Sequence, residues 1–220
     1  VIMGIMLPLI TFAWTRKRIE EYKNFYHLAI NLVALFLFPI LTGIIIKADS
    51  IMDFVAGDKF SGSGDILKYL SISIFGLIFG VSFGYIALAI NKQRQALWVY
   101  GSAAILSIIG YFIFIPRFGI WGAVGITIFS EIYVVILLLF LVVKITKILP
   151  KFYTLAKIIL ASLIMGVLLF KIPTNSLILS AALGFFSYSF LIIILKIISL
   201  KTIKEIISPR SFAETGDNEI

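Results

Sequence analysis

The chain reads as long apolar runs cut by short polar connections. Six runs, Tyr26–Lys47, Ile66–Ile90, Ala96–Ile115, Phe118–Val143, Thr154–Phe170 and Leu177–Leu195, are 17 to 26 residues long. A helix needs about 20 apolar residues to cross the hydrocarbon core of a bilayer, with about 17–25 the usual range. The pattern therefore predicts six full transmembrane helices. Barrel strands are excluded, because they would be alternating segments of about 10 residues. Ahead of the six lies Val1–Trp14, apolar but too short to span. It lacks the basic start and small-residue cleavage site of a signal peptide. It is expected to be a partial helix, and the chain the C-terminal part of a longer protein. No short repeat of solenoid period runs through the sequence.

The polar connections fix an orientation. With the connection around Arg16–Lys23 placed in the cytoplasm, strict alternation puts 14 of the 19 Lys and Arg residues on the cytoplasmic side. Lys47, Lys59, Lys68, Arg117 and Lys171 fall on the other. That is the positive-inside pattern, and it puts the C-terminus in the cytoplasm. Trp14 and Trp98 lie near inner ends and Trp121 near an outer end, as interface anchors do. The long outer connection Ala48–Asp65 holds Asp49, Asp53, Asp58 and Asp65; Asp49–Ala56 is expected to form a short surface helix and residues 61–64 a flexible stretch. The polar tail after residue 200 is expected to be disordered.

Composition removes other classes. The chain is 61% hydrophobic and 14% charged, with a mean hydropathy of +1.11. A soluble domain carries about 25% charged residues. The net charge of +8 resides at the ends of apolar runs and not on one polar surface, so nucleic acid is not expected as a partner. Without cysteine there is no disulfide framework or thiolate metal site. The lone histidine, His27, reads as an interface residue. No P-loop, Gly-x-Ser-x-Gly or dinucleotide fingerprint occurs, so neither enzyme chemistry nor a metal or cofactor is expected.

Several features inside the runs could carry function. Gly76, Gly80 and Gly84 form a stripe with a spacing of four, a face on which another helix can approach the backbone closely. It serves as static packing or as a sliding surface. Pro39 frees the carbonyl of Leu35 and is expected to kink its helix, either as a structural bend or as the broken helix of a transporter. The stretch Ile115–Thr127 combines Pro116 with Gly119, Gly122, Ala123 and Gly125, and predicts a tight helical hairpin. Beyond it Glu131 lies roughly 18–20 Å from either end of its run at 1.5 Å per residue, near the bilayer midplane. It points away from Gly122. Either it is a neutral structural acid, with Thr127 one turn back as a partner, or it lines a cavity and binds a proton, a cation or a sugar hydroxyl. Arg117, just before the glycines, is an interface anchor or a phosphate ligand.

Three segments in order carry a resemblance: Phe54-Val-Ala-Gly-Asp-Lys-Phe60, then Tyr85-Ile-Ala-Leu-Ala-Ile-Asn-Lys-Gln-Arg94, then Ile115-Pro-Arg-Phe-Gly-Ile-Trp-Gly-Ala-Val-Gly-Ile-Thr127. With Leu7-Pro-Leu9 and Phe38-Pro-Ile-Leu-Thr-Gly43 ahead of them, they resemble the C-terminal half of polysaccharide flippases of the multidrug/oligosaccharidyl-lipid/polysaccharide exporter superfamily. The resemblance covers roughly residues 1–171. It implies a helical bundle forming one lobe of a two-lobed transporter, with Leu177–Leu195 as an additional helix and a missing N-terminal lobe as its partner. It implies passage of undecaprenyl pyrophosphate-linked oligosaccharide across the cytoplasmic membrane, among membrane lipids, by alternating access. A cation-coupled exporter of the same superfamily is the alternative, with Glu131 as the coupling site. A membrane-embedded glycosyltransferase or polymerase is the alternative from another class.

Overall fold

The structure is a computed structural model and describes residues 1–57, 60, 62–172 and 176–197. The expected tail, 200–220, lies outside the described residues, as does Asp58 of the long connection. Seven helices follow one another: α1 (Ile2–Thr15), α2 (Ile19–Ala56), α3 (Gly64–Ala89), α4 (Gln93–Phe118), α5 (Ile120–Thr146), α6 (Phe152–Lys171) and α7 (Leu177–Ile194). No strand occurs among the described residues. Helices α2 to α7 are each long and apolar enough to cross a membrane. The protein is an all-α, polytopic membrane protein, and each expected span falls within one of these helices to within two residues.

Helix ends follow the local chemistry. Helices α1, α3, α5 and α7 all finish at one end of the bundle, each on a left-handed residue: Lys17, Asn91, Lys147 and Lys196. After α3 the Lys92 N–H reaches back to the Ala87 carbonyl at 2.7 Å, and after α1 the Arg18 N–H reaches Ala13 at 2.9 Å. These bonds satisfy carbonyls that the last turn leaves open, and lysine there complements the negative end of the helix dipole. Glycine would be the usual choice for a positive φ. Here lysine takes its place at three of the ends and asparagine at the fourth.

The helices lie in a row, α4–α5–α3–α2–α6–α7, with α1 seated against both α2 and α3. The nine largest fully buried side chains are Ile10, Tyr22, Tyr26, Ile30, Ile86, Ile90, Leu138, Val142 and Ile158. Each belongs to the half of its helix nearer the basic end. The opposite half is held by close helix crossings, Gly76 of α3 on Glu131 of α5 and Gly166 of α6 on Thr42 and Ile46 of α2. There α2, α6 and α7 border an apolar groove of about 710 Å³ that runs from Leu35 and Tyr188 past Pro39 to Lys47 and Phe54. Large buried side chains fill the basic end, and toward the other end this groove stays open between α2 and α7.

Helix α2 is kinked beyond Pro39. The departure from helical dihedral angles falls at Lys47 (φ −108°, ψ 20°), not at Pro39. The short helix expected over Asp49–Ala56 is present, as the part of α2 beyond that kink. Pro39 still withholds a donor from the Leu35 carbonyl, and α7 supplies a replacement: the Tyr188 hydroxyl donates to Leu35 O at 2.8 Å in a buried contact. A carbonyl left unpaired in hydrocarbon is costly, so this bond ties the last helix to the central one. Tyr188→Phe is expected to destabilise the protein by about 1 kcal/mol, the scale of a buried interhelical hydrogen bond. In a Pro39→Ala background, where residue 39 regains the N–H that serves Leu35, the same change should cost less. Unfolding in mixed micelles of all four variants measures the coupling, and equal costs in both backgrounds would contradict the pairing.

Candidate functional site

The α3–α5 seam is an extended close approach, and Glu131 lies on it. The glycine stripe of α3 faces it. A Cβ on Gly76 would lie 2.6 Å from the Cβ of Glu131 and 2.9 Å from its carbonyl carbon. One turn on, a Cβ on Gly80 would lie 3.1 Å from Val134 Cγ1. At Gly84 the partner changes to α4, whose Tyr100 hydroxyl would be struck by any Cβ there. That hydroxyl donates to the Gly80 carbonyl at 3.1 Å. The stripe therefore packs on two helices, with Glu131 at its head.

Glu131 is half-buried, and no hydrogen bond or ion pair reaches its carboxylate among the described residues. The expected partner Thr127 is committed elsewhere. Its hydroxyl donates to the Ala123 carbonyl at 2.9 Å and meets the Tyr111 hydroxyl of α4 at 2.9 Å. Further along, Ser102 of α4 meets the Tyr133 hydroxyl of α5 at 3.1 Å. Polar contacts thus lie above and below Glu131 on the α4–α5 interface. Their groups are all neutral hydroxyls, and the carboxylate is the exception. Glu131 and Gly122 do face different neighbours, α3 and α4 respectively.

The hairpin is tight but not terminated as expected. Helix α4 runs through Pro116 and Arg117 to Phe118, and the Gly119 N–H closes on the Ile115 carbonyl at 2.8 Å. Gly119, at φ 57° and ψ −134°, makes the turn by itself. Proline sits in the last turn, where little helix remains for a lost bond to disrupt. A Cβ on Gly122 would strike the Phe114 carbonyl, so the two backbones touch there. Gly125 instead borders an open apolar groove with Phe114 and Phe129. Arg117 is exposed at the hairpin tip, two turns or more from Thr127 and Glu131, and the structure does not bring it to them.

Other residues differ from their sequence reading. His27 is buried, not interfacial, and its Nε2 lies 2.9 Å from the Leu149 carbonyl, joining α2 to the α5–α6 connection. Lys68 bridges Asp49 of α2 at 3.1 Å and, within α3, Asp65 at 3.0 Å, so one outer acid links α2 to α3 and a second pairs along its own helix. Gly166 of α6 faces Thr42 and Ile46 of α2, a close crossing that the stripe at 76, 80 and 84 overshadowed. The buried Tyr26 hydroxyl meets no hydrogen-bond partner among the described residues. No cluster of three or more His, Asp or Glu with metal-site geometry occurs among them either.

No family model, curated protein or solved structure matches this chain.

The seam makes a graded prediction. Gly76→Ala is expected to destabilise by about 1–3 kcal/mol, since its methyl meets backbone as well as side chain. Gly80→Ala should cost less, because Val134 Cγ1 can shift by a few tenths of an ångström. Gly125→Ala, with open space around it, should be neutral or stabilising by about 0.5–1 kcal/mol through helix propensity. Thermal unfolding of the three purified variants gives the order, and a Gly76 variant as stable as the Gly125 one would refute the packing.

Proposed function

We propose that the chain is one lobe of an alternating-access transporter that carries lipid-linked oligosaccharide across the cytoplasmic membrane. A preceding lobe of the same polypeptide would complete it. The substrate class rests on the ordered resemblance through residues 54–60, 85–94 and 115–127. The movement is supported by one observation above others: the bundle's large buried side chains gather at the basic end while a groove between α2 and α7 stays open toward the other. A lobe built this way has a fixed end and a yielding end. Rocking about the first alters access at the second without unfolding any helix. Glycine against backbone along α3–α5 gives a smooth contact on which such a movement costs little side-chain rearrangement.

A second reading has its own support. The Glu131 carboxylate lies at mid-depth with no hydrogen bond or ion pair among the described residues, and an acid so placed is a candidate for binding a proton or cation. In that reading ion binding at Glu131 biases the α3–α5 seam between two packings, and the transported molecule is small.

Reconstitution separates the two. The full-length protein in vesicles is expected to accelerate transbilayer movement of an undecaprenyl pyrophosphate-linked sugar; equal rates in protein-free vesicles overturn the flippase reading. Glu131→Gln is expected to lower any gradient-driven rate by about tenfold, equivalent to about 1.4 kcal/mol of barrier. A variant that keeps the full gradient response removes Glu131 from the mechanism.

A further inference from the structure

We infer that the basic end of the α4–α5 pair binds an anionic phospholipid, its headgroup held by Lys92 and Lys144 and its acyl chain lying in the groove between the helices. The groove has a volume of about 370 Å³. Lys92, Gln95 and Lys144 form its mouth, and Val99, Leu137 and Phe140 are among the apolar side chains that line its depth. Lys92 is the residue at which α4 begins, and Lys144 sits in the last turn of α5, so antiparallel helices bring two cations to one level. Lys144 also rests over the Phe140 ring at 5.9 Å, which seats the ammonium directly above the apolar part.

Nothing within the described chain neutralises this pair. The ion pairs there are Arg18–Glu21 and those of Lys68 with Asp49 and Asp65, and no acid lines the groove. The start of α4 carries no side-chain cap, so the positive end of its dipole adds to the same field. Two cations above an oily slot match an amphiphile with a phosphate head. A free phosphate would satisfy the lysines and leave Val99, Leu137 and Phe140 uncovered. A zwitterionic lipid would cover the slot and bring no net charge. By the positive-inside rule the basic end faces the cytoplasmic leaflet, where anionic lipids meet it. The site is independent of what the protein transports, and on the edge helix it anchors the hairpin that carries Glu131.

The test uses purified full-length protein in detergent and native mass spectrometry with three probes: dioleoyl phosphatidylglycerol, dioleoyl phosphatidylcholine and glycerol phosphate. The anionic lipid should bind more tightly than the zwitterionic one by about fivefold per lysine, and glycerol phosphate should not bind. Lys92→Gln with Lys144→Gln should abolish the preference and keep the weaker binding of both lipids. Removing two basic residues elsewhere at that end, Arg16→Gln with Lys17→Asn, should leave the preference intact. Phe140→Ala should weaken both lipids while the charge preference survives. Should the double lysine variant fail to fold, brominated lipids serve on the unaltered protein, with Trp98→Phe as the reference. Trp98, exposed beside Val99, should then be quenched more by the anionic lipid. Equal binding of the two diacyl lipids, a preference that survives loss of both lysines, binding of glycerol phosphate as tight as that of the lipid, or a lysine-dependent change of oligomeric state in place of lipid binding would each overturn the assignment.

Discussion

Every backbone polar group in the hydrocarbon must find its partner inside the protein, and the other features of this fold answer that demand. Helices satisfy it along their length and fail at prolines and ends. Pro39 opens one such failure in the middle of α2, and Tyr188, 149 residues further along the chain, closes it. The consequence reaches past one bond. It fixes the depth at which α7 docks, and so places the upper wall of the apolar groove. The four left-handed helix ends answer the same demand at the water boundary, where charge is cheap and lysine can stand where glycine usually does.

Packing then decides what can move. Between α3 and α5 the contact is glycine on backbone, and close approach replaces the interdigitated side chains that lock the basic end. Hydrophobic burial cannot by itself drive helices together in lipid, so contact quality matters more than area. By that measure the α1–α2–α3–α5–α6 cluster around Tyr22, Ile86 and Leu138 holds the largest fully buried side chains among the described residues. An apolar groove stays open between α2 and α7, and α4 buries little of its surface. Glu131 lies on the α3–α5 seam, against Gly76.

Much of this was legible in the residues. The spans follow from run length alone, because nothing but a helix satisfies about 20 apolar residues in a bilayer. The close-contact faces at Gly76, Gly80 and Gly122 follow from spacing, and so does the single-glycine turn between α4 and α5. Three things were not legible. Helix α4 continues through Pro116 because a proline in a final turn has little left to break. The kink in α2 sits at Lys47, where Lys68 draws Asp49 toward α3 just beyond it. And Thr127 belongs to Tyr111, since a hydroxyl on a helix face serves whichever neighbour the hairpin brings up.

By itself, then, the sequence determined that this chain is a set of membrane-crossing helices, where they turn and which end is basic. Those are properties of short stretches, set by transfer free energy and by the backbone freedom of single residues. The tertiary structure decided which helices are neighbours, that Leu35 is served by Tyr188, and that Glu131 rests against Gly76 without a hydrogen bond or ion pair among the described residues. These depend on pairing residues far apart in the chain. Apolar helices in lipid look alike to one another from a distance, and only the shape and polarity met at contact tells them apart.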